Sequence, residues 1–147
     1  MTDYKREREA GERFSLHDAH IVAMDVDYDS GELRLEPQYG FVDTLTDTMV
    51  DGEVNITGVS PEDSYISLKE YKNVLTGNVG SFVGEKMTLA TFLDAFDSKF
   101  KAMDIMSAYH GYKSCFITGY LSRGDEVLEI HMDIFYRGDF IYRVREK

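Results

Sequence analysis

The chain has 147 residues, an apolar fraction of 43% and a net charge of −11 at neutral pH. This length suits one domain with its own core, and no apolar run approaches the roughly 20 residues that cross a bilayer. The negative charge disfavours nucleic acid and anionic membranes as partners.

The N-terminus mixes acidic and basic residues and has only Tyr4 as a large apolar side chain after Met1. We therefore expect residues 1–12 to form a frayed arm or a short surface helix, followed by a single α+β domain over residues 13–147. The same stretch lacks the apolar centre of a secretory signal. Because the single cysteine, Cys115, cannot form an internal disulfide, we predict a cytoplasmic protein.

A cluster of potential metal ligands precedes the first predicted strand, at His17, Asp18 and His20. Zinc needs three or four converging ligands, and no second ligand motif accompanies His17 and His20, so we predict neither a metal nor another cofactor. The segment from Phe14 to Ile21, with its Leu-His-Asp motif, resembles the opening of small uncharacterised bacterial domains. That resemblance implies a bacterial domain of unknown function and no particular activity.

A two-residue turn at Ser30-Gly31 predicts the first hairpin, since glycine supplies the positive φ of a tight turn. The predicted register places Val26 opposite Leu35 and Asp27 opposite Arg34. The stretch from Asp25 to Glu36 also carries acids at positions 1, 3, 5 and 12, as a calcium-binding loop does. Its glycine stands one place late and its flanks alternate with period 2, so the hairpin is favoured.

The excess negative charge is concentrated between Asp18 and Glu70. This third of the chain holds thirteen acidic and two basic residues, so its net charge equals that of the whole protein. Such an electrostatic field attracts a basic partner. The alternative is that the acidity serves only solubility.

The middle of the chain predicts a further hairpin at Asp51-Gly52, with Met49 facing Val54. Strands are expected near Tyr65 to Glu70 and Leu75 to Val83. One amphipathic helix follows over residues 88–99, with Thr88 as its cap. Apolar residues repeat there at i, i+3, i+4 and i+7, namely Leu89, Phe92, Leu93 and Phe96.

The C-terminal third predicts a four-stranded meander over residues 103–145, because three glycine turns separate alternating runs. The turns are His110-Gly111, Arg123-Gly124 and Arg137-Gly138. The predicted cross-strand pairs are Tyr109 with Tyr112, Ile117 with Ile130, Tyr136 with Asp139 and Ile134 with Ile141. With the earlier strands, this gives a curved, mainly antiparallel sheet of seven to eight strands and one helix packed on one face.

One face of this meander is aliphatic, includes Met106 and Cys115, and is expected to form the core. The opposite face carries aromatic residues around three ionisable groups, Glu129, His131 and Asp133. The aromatic residues are Tyr109, Tyr112, Phe116, Tyr120, Phe135, Phe140 and Tyr142. Such a face lines a cavity, forms an interface, or is covered as part of an ordinary two-layer core.

Two functions follow from these patterns. The first is a non-enzymatic acidic protein that binds a basic protein partner, similar in kind to immunity and inhibitor proteins, through Asp25, Asp27, Asp43, Asp47 and Asp51. The alternative is a small-molecule-binding protein or enzyme. In it, Tyr112, Phe116, Tyr120, Phe135 and Tyr142 contact the ligand, and His131 is the general acid or base, oriented by Glu129 or Asp133. The sequence leaves the oligomeric state open, including a homodimer.

Overall fold

The computed structural model describes residues 1–7, 11–72 and 80–146. These residues form thirteen strands and one helix. In chain order they are β1 (Thr2–Lys5), β2 (Phe14–Ser15), β3 (His20–Asp27), β4 (Glu32–Pro37), β5 (Phe41–Asp43), β6 (Thr48–Val50), β7 (Gly52–Ile56), β8 (Tyr65–Lys72), β9 (Ser81–Thr88), α1 (Leu89–Lys99), β10 (Ala102–Gly111), β11 (Ser114–Arg123), β12 (Glu126–Phe135) and β13 (Phe140–Val144).

Most strands of the described chain belong to one large antiparallel sheet. Ten strands pair in the order β1-β13-β7-β4-β3-β10-β11-β12-β8-β9, and three more form a small sheet in the order β2-β5-β6. The strands from β10 to β12 have ten residues each and alternate between buried and more exposed side chains over most of their length. This period of 2 is the pattern from which they were predicted.

The helix buries one face against the large sheet, as predicted. The side-chain oxygen of Thr88 accepts a hydrogen bond from the backbone nitrogen of Thr91, at 3.2 Å, and so caps the first turn. Leu89, Phe92 and Phe96 are buried, and the helix contacts β3, β8 and β9. We call this side of the large sheet the inner face and the other side the outer face. No helix among the described residues is long and apolar enough to cross a membrane.

The small sheet covers another part of the inner face with two aromatic side chains. Phe14 and Phe41 lie with their ring centroids 5.4 and 4.9 Å from that of Tyr142 on β13. Aromatic pairs at such distances stabilise a core beyond the area they bury. The helix and the small sheet thus both pack on the inner face. The candidate functional site is on the outer face.

The predicted sheet of seven to eight strands with a four-stranded C-terminal meander is wrong. The strands β10, β11 and β12 do follow one another, but β13 pairs with β7 and β1 instead of β12. The chain leaves the meander at Arg137 and Gly138, whose backbone nitrogens donate to the carbonyls of Gly58 and Thr57. These long-range hydrogen bonds replace the local turn, so Tyr136 does not pair with Asp139.

The hairpin predicted at Asp51-Gly52 is also wrong. The strands on either side of it, β6 and β7, lie in different sheets, so Met49 and Val54 do not face each other. A Cβ on Gly52 would stand 2.2 Å from the carbonyl oxygen of Arg143. This glycine therefore serves the close approach of β7 to β13 rather than a tight turn.

Three predicted hairpins form, but with shifted registers. Val26 pairs with Leu33 instead of Leu35, because the turn spans four residues and closes with a hydrogen bond of 2.7 Å from the nitrogen of Gly31 to the oxygen of Asp27. Likewise Ile117 pairs with Met132, and Tyr109 pairs with Phe116. Each shift is an even number of residues, so the side chains keep their predicted faces.

An irregularity in β10 corrects one core assignment. The pairing with β11 shifts between Ile105 and Ser107, which leaves Met106 as an extra residue. Met106 is therefore 50% exposed, whereas Met103 and Ile105 are buried and take its place in the core.

The ends of the large sheet lie where the sequence was least informative. Thr2–Lys5, expected in a frayed arm, form β1 and pair with β13. At the other end, the strand expected from Leu75 to Val83 falls partly outside the described residues, and the observed β9 runs over Ser81–Thr88.

Candidate functional site

Three of the five carboxylates predicted to bind a basic partner are already paired with arginines of the same chain. Asp25 contacts Arg34 at 2.6 Å, and Asp51 contacts Arg145 at 3.3 Å. The guanidinium of Arg13 donates two hydrogen bonds to Asp43 and holds the pKa of that carboxyl below its usual value of 3.8. All three acids are therefore engaged in ion pairs within the chain.

The other two predicted carboxylates lie in turns. Asp27 accepts hydrogen bonds from the backbone nitrogens of Asp29 and Ser30, which closes the turn between β3 and β4. Asp47 has a φ of 55° in the exposed connection between β5 and β6. Their carboxylates contribute to the electrostatic field of the protein.

The two histidines considered as metal ligands are held by different carboxylates. Nδ1 of His17 lies 3.1 Å from Asp18, and Nδ1 of His20 lies 2.6 Å from Asp104 on β10. Over residues 1–7, 11–72 and 80–146, no group of three or more potential ligands is arranged to hold a metal ion.

The three ionisable residues predicted to lie together, Glu129, His131 and Asp133, are on the outer face of β12. Nε2 of His131 lies 2.9 Å from Oε1 of Glu129, and the ring of Phe116 is 5.5 Å from the imidazole. Asp133 is exposed and pairs with Phe116 across β11 and β12. A hydrogen bond to Glu129 raises the pKa of Tyr71, which adds a fourth titratable side chain to this group.

The predicted aromatic residues divide between the surface and the core. Phe116 and Tyr120 stand on the outer face, opposite Asp133 and Glu129 in the pairing register, and Tyr112 is exposed in the turn between β10 and β11. Phe135 is half-buried at the end of β12, with the Arg137 guanidinium 5.8 Å from its ring centre.

Tyr142 and Phe140 do not belong to this site. Both are buried on the inner face, and burial raises the pKa of Tyr142. Their placement follows from the pairing of β13 with β7, because alternate residues of β13 then point into the core and leave Ile141 on the other side.

Three further aromatic residues were missed, and they come from β8 and β9. Tyr65 pairs with the outer-face residue Asp133, and Tyr71 pairs with Phe82, with ring centroids 5.9 Å apart. The period-2 alternation of β8 was visible in the sequence, but its position beside β12 was not. We define the outer aromatic face by the six exposed rings on β8, β9, β10 and β11. They are Tyr65, Tyr71, Phe82, Tyr109, Phe116 and Tyr120, which are 38–64% exposed.

A row of polar side chains crosses the same face. Ser107, Thr118, His131, Ser67 and Lys86 are successive partners on β10, β11, β12, β8 and β9. The hydroxyls of the first two are 2.6 Å apart. The face thus offers donors and acceptors between rings, as protein interfaces do.

His131 lies on a sheet surface. One cavity of the described chain is lined in part by Tyr4, Arg6 and Arg13, and another, on β8 and β9, is lined in part by Ser67, Phe82 and Lys86; His131 lines neither. Cys115 is buried, which raises its pKa to about 12, so it is not a nucleophile at neutral pH. Comparison with protein-family models, curated proteins and solved structures finds no match for this chain.

Proposed function

We propose that this protein is a non-enzymatic binding protein that engages a basic protein partner through its outer aromatic face. The observation that carries the proposal is the set of six exposed rings on β8, β9, β10 and β11, which flank the ionisable residues of β12. Soluble monomers seldom expose contiguous large apolar side chains, and such patches mark interaction sites. Aromatic residues are also the side chains that most often dominate binding energy.

The charge of this face fits a cationic partner. Asp104, Glu129 and Asp133 stand between or beside the rings, and carboxylates next to exposed rings favour arginine and lysine through ion pairs and cation–π contacts. The chain itself shows this preference, since Nζ of Lys86 lies 5.0 Å from the ring centre of Tyr65. The net charge of −11 adds long-range attraction toward a basic protein.

The acidic residues named from the sequence contribute to this binding indirectly. Asp25, Asp43 and Asp51 are paired with arginines of the same chain, so they are less available as anchors. Asp27 and Asp47 have no Lys or Arg ion pair within the described residues and add to the field that steers a partner. Charge reversal at these two positions should slow association and reduce its salt dependence.

The test is affinity capture from a bacterial lysate with the purified wild-type chain and two alanine variants as baits. Phe116→Ala removes a central ring of the face, whereas Tyr28→Ala removes a ring that is 61% exposed in the distant turn between β3 and β4. We expect a stoichiometric basic protein that elutes as salt rises, is lost with Phe116→Ala and is retained with Tyr28→Ala. An empty capture, an acidic partner or equal loss with both variants would contradict the proposal.

A second candidate, a small-molecule site or enzyme at His131, rests on its 2.9 Å contact with Glu129. A neighbouring carboxylate fixes the tautomer of an imidazole and prepares it for proton transfer. Under this proposal His131→Ala abolishes ligand selectivity or turnover while the binding of a basic protein is nearly unchanged. Loss of protein binding in that variant, with its fold intact, would place His131 in the interface instead.

A further inference from the structure

The strand β9 ends the large sheet with an open edge. It pairs with β8 on one side, and no described residue pairs with its other side. All six side-chain positions from Ser81 to Lys86 are exposed, including Phe82 at 57% and Val83 at 62%. The strand is eight residues long and contains no proline. Natural proteins usually protect such an edge, because its free backbone groups pair readily with another strand.

The local charge of this edge differs from that of the whole protein. The described side chains of β8 and β9 include Lys69 and Lys86 against Glu70 and Glu85. These charges cancel, so the described side chains of the two strands add nothing to the net charge of −11.

Symmetry limits how two copies of β9 can pair. When a two-fold axis runs perpendicular to the sheet, antiparallel strands place residues of the same face opposite each other. Two registers give the greatest overlap of Ser81–Thr88, with the axis passing through Gly84 or through Glu85. The second register opposes Glu85 with itself, which is unfavourable.

The register centred on Gly84 places no like charges directly opposite each other. It places Phe82 opposite the second copy's Lys86 on the outer face and Val83 opposite the second copy's Glu85 on the inner face. A lysine beside an aromatic ring is favourable, as the 5.2 Å contact of Lys69 with Phe82 within one chain shows. Gly84 itself has no side chain to obstruct the axis.

We infer that the protein forms a symmetric homodimer in which β9 pairs antiparallel with β9 of a second copy, in the register centred on Gly84. The dimer joins the two large sheets into one and keeps both outer aromatic faces on the same side. It presents a basic partner with two copies of the binding surface. Phe82 belongs to both surfaces, whereas Val83 and Glu85 belong only to the dimer contact, so substitutions at Val83 test the dimer separately from the proposed function.

The register predicts opposite effects for two substitutions at one position. Val83→Glu places like charges together at two symmetric sites and weakens the dimer, whereas Val83→Lys faces the second copy's Glu85 and preserves or strengthens it. The expected ratio of dimer dissociation constants is at least about tenfold. At Phe82 the order reverses, because Phe82→Glu faces the second copy's Lys86 and Phe82→Lys repels it.

Sedimentation equilibrium of the full chain, wild type and these four variants, measures the dissociation constants, with circular dichroism to verify folding. Val22→Glu and Val22→Lys are matched controls, since Val22 is 38% exposed on β3. We expect a wild-type dimer, the reversed charge orders at Val83 and Phe82, and no effect at Val22. A monomeric wild-type protein, or equal effects of both charges at Val83 and at Phe82, would overturn the inference. If one position does not tolerate substitution, the other still tests the register.

Discussion

The guanidinium of Arg13 and the carboxylate of Asp43, thirty positions apart in the chain, form a bidentate hydrogen-bonded pair with distances of 3.0 and 3.1 Å. The pair links Asp43, at the end of β5, to Arg13, which directly precedes β2. Asp43 is only 6% exposed. Paired in this way, Asp43 has a structural role.

Asp43→Asn should therefore lower the free energy of unfolding at neutral pH. Because Arg13 lowers the folded-state pKa of Asp43 below 3.8, the stabilisation is complete above 3.8 and is lost as the pH falls through the folded-state pKa. Urea unfolding from neutral pH into the acid range should show a smaller acid-induced loss in the variant. Asp47→Asn, at an exposed turn, is the control and should change little.

His110 makes stability depend on pH in the range of histidine titration. Its Nδ1 is buried and has no hydrogen-bond partner among the described residues, and its ring packs 4.8 Å from that of Phe140. Burial, with the charge of Arg6, lowers its pKa from 6.5, while Glu12 acts in the opposite direction.

Below pH 6.5 the unfolded chain therefore takes up a proton at His110 before the folded protein does. The free energy of unfolding should fall as the pH drops below 6.5, until the folded-state pKa is reached. Thermal unfolding across this range should show the decrease in the wild type and in His17→Gln, whose histidine is exposed, but less of it in His110→Gln. Identical pH profiles for the two variants would contradict this role of His110.

The helix contributes to stability through its buried aromatic residues. Phe92 is fully buried and lies between Phe96 and Phe100, with ring centroids 5.7 Å away in both cases. Phe92→Ala should lower the free energy of unfolding by about 3–5 kcal/mol, since truncation removes buried area and leaves a cavity. The exposed Asp94→Ala should change it by less than about 0.5 kcal/mol in urea unfolding. Similar losses in both variants would mean that the helix does not pack as described.

Two glycines with positive φ should respond differently to alanine. Gly40 has a φ of 80°, and a Cβ there would stand 1.8 Å from the carbonyl oxygen of Val50. Gly124 has a φ of 58° but open space around the same position. Gly124→Ala should cost about 1–2 kcal/mol from backbone strain alone, whereas Gly40→Ala must also displace the backbone at Val50 and should cost more. Chemical unfolding of both variants makes the comparison, and equal costs would argue against this approach of Gly40 to Val50.

Elements that depend on nearby residues could be predicted from the sequence. The helix follows from the spacing of Leu89, Phe92 and Phe96 and from the capping side chain of Thr88, and the structure confirms it. The outer faces of β11 and β12 follow from alternation, so Phe116, Tyr120 and His131 lie together as expected. Even the wrong hairpin registers preserved these faces, because their errors were multiples of two.

Partners that are distant in sequence could not be predicted. The turn signal at Arg137-Gly138 predicted a hairpin, yet a Cβ on Gly138 would meet the Thr57 hydroxyl at 2.1 Å, so the glycine serves contact with a distant segment. The aromatic rings of β8 and β9 could not be assigned to the candidate site from the sequence, because β8 pairs with the distant strand β12. Glycine permits both a tight turn and a close backbone approach, and local sequence does not distinguish the two.

The sequence by itself determined the net charge of −11, the helix and the alternation of the long strands, because each depends on composition or on residues a few positions apart. Only the tertiary structure decided which charges are free, since Arg143 and Arg145 reach Glu53 and Glu36 across the sheet. It also decided that Tyr142 is core while Tyr65 is surface. Strand pairing is decided by the packing of the whole chain, and it sets which neighbours each side chain meets.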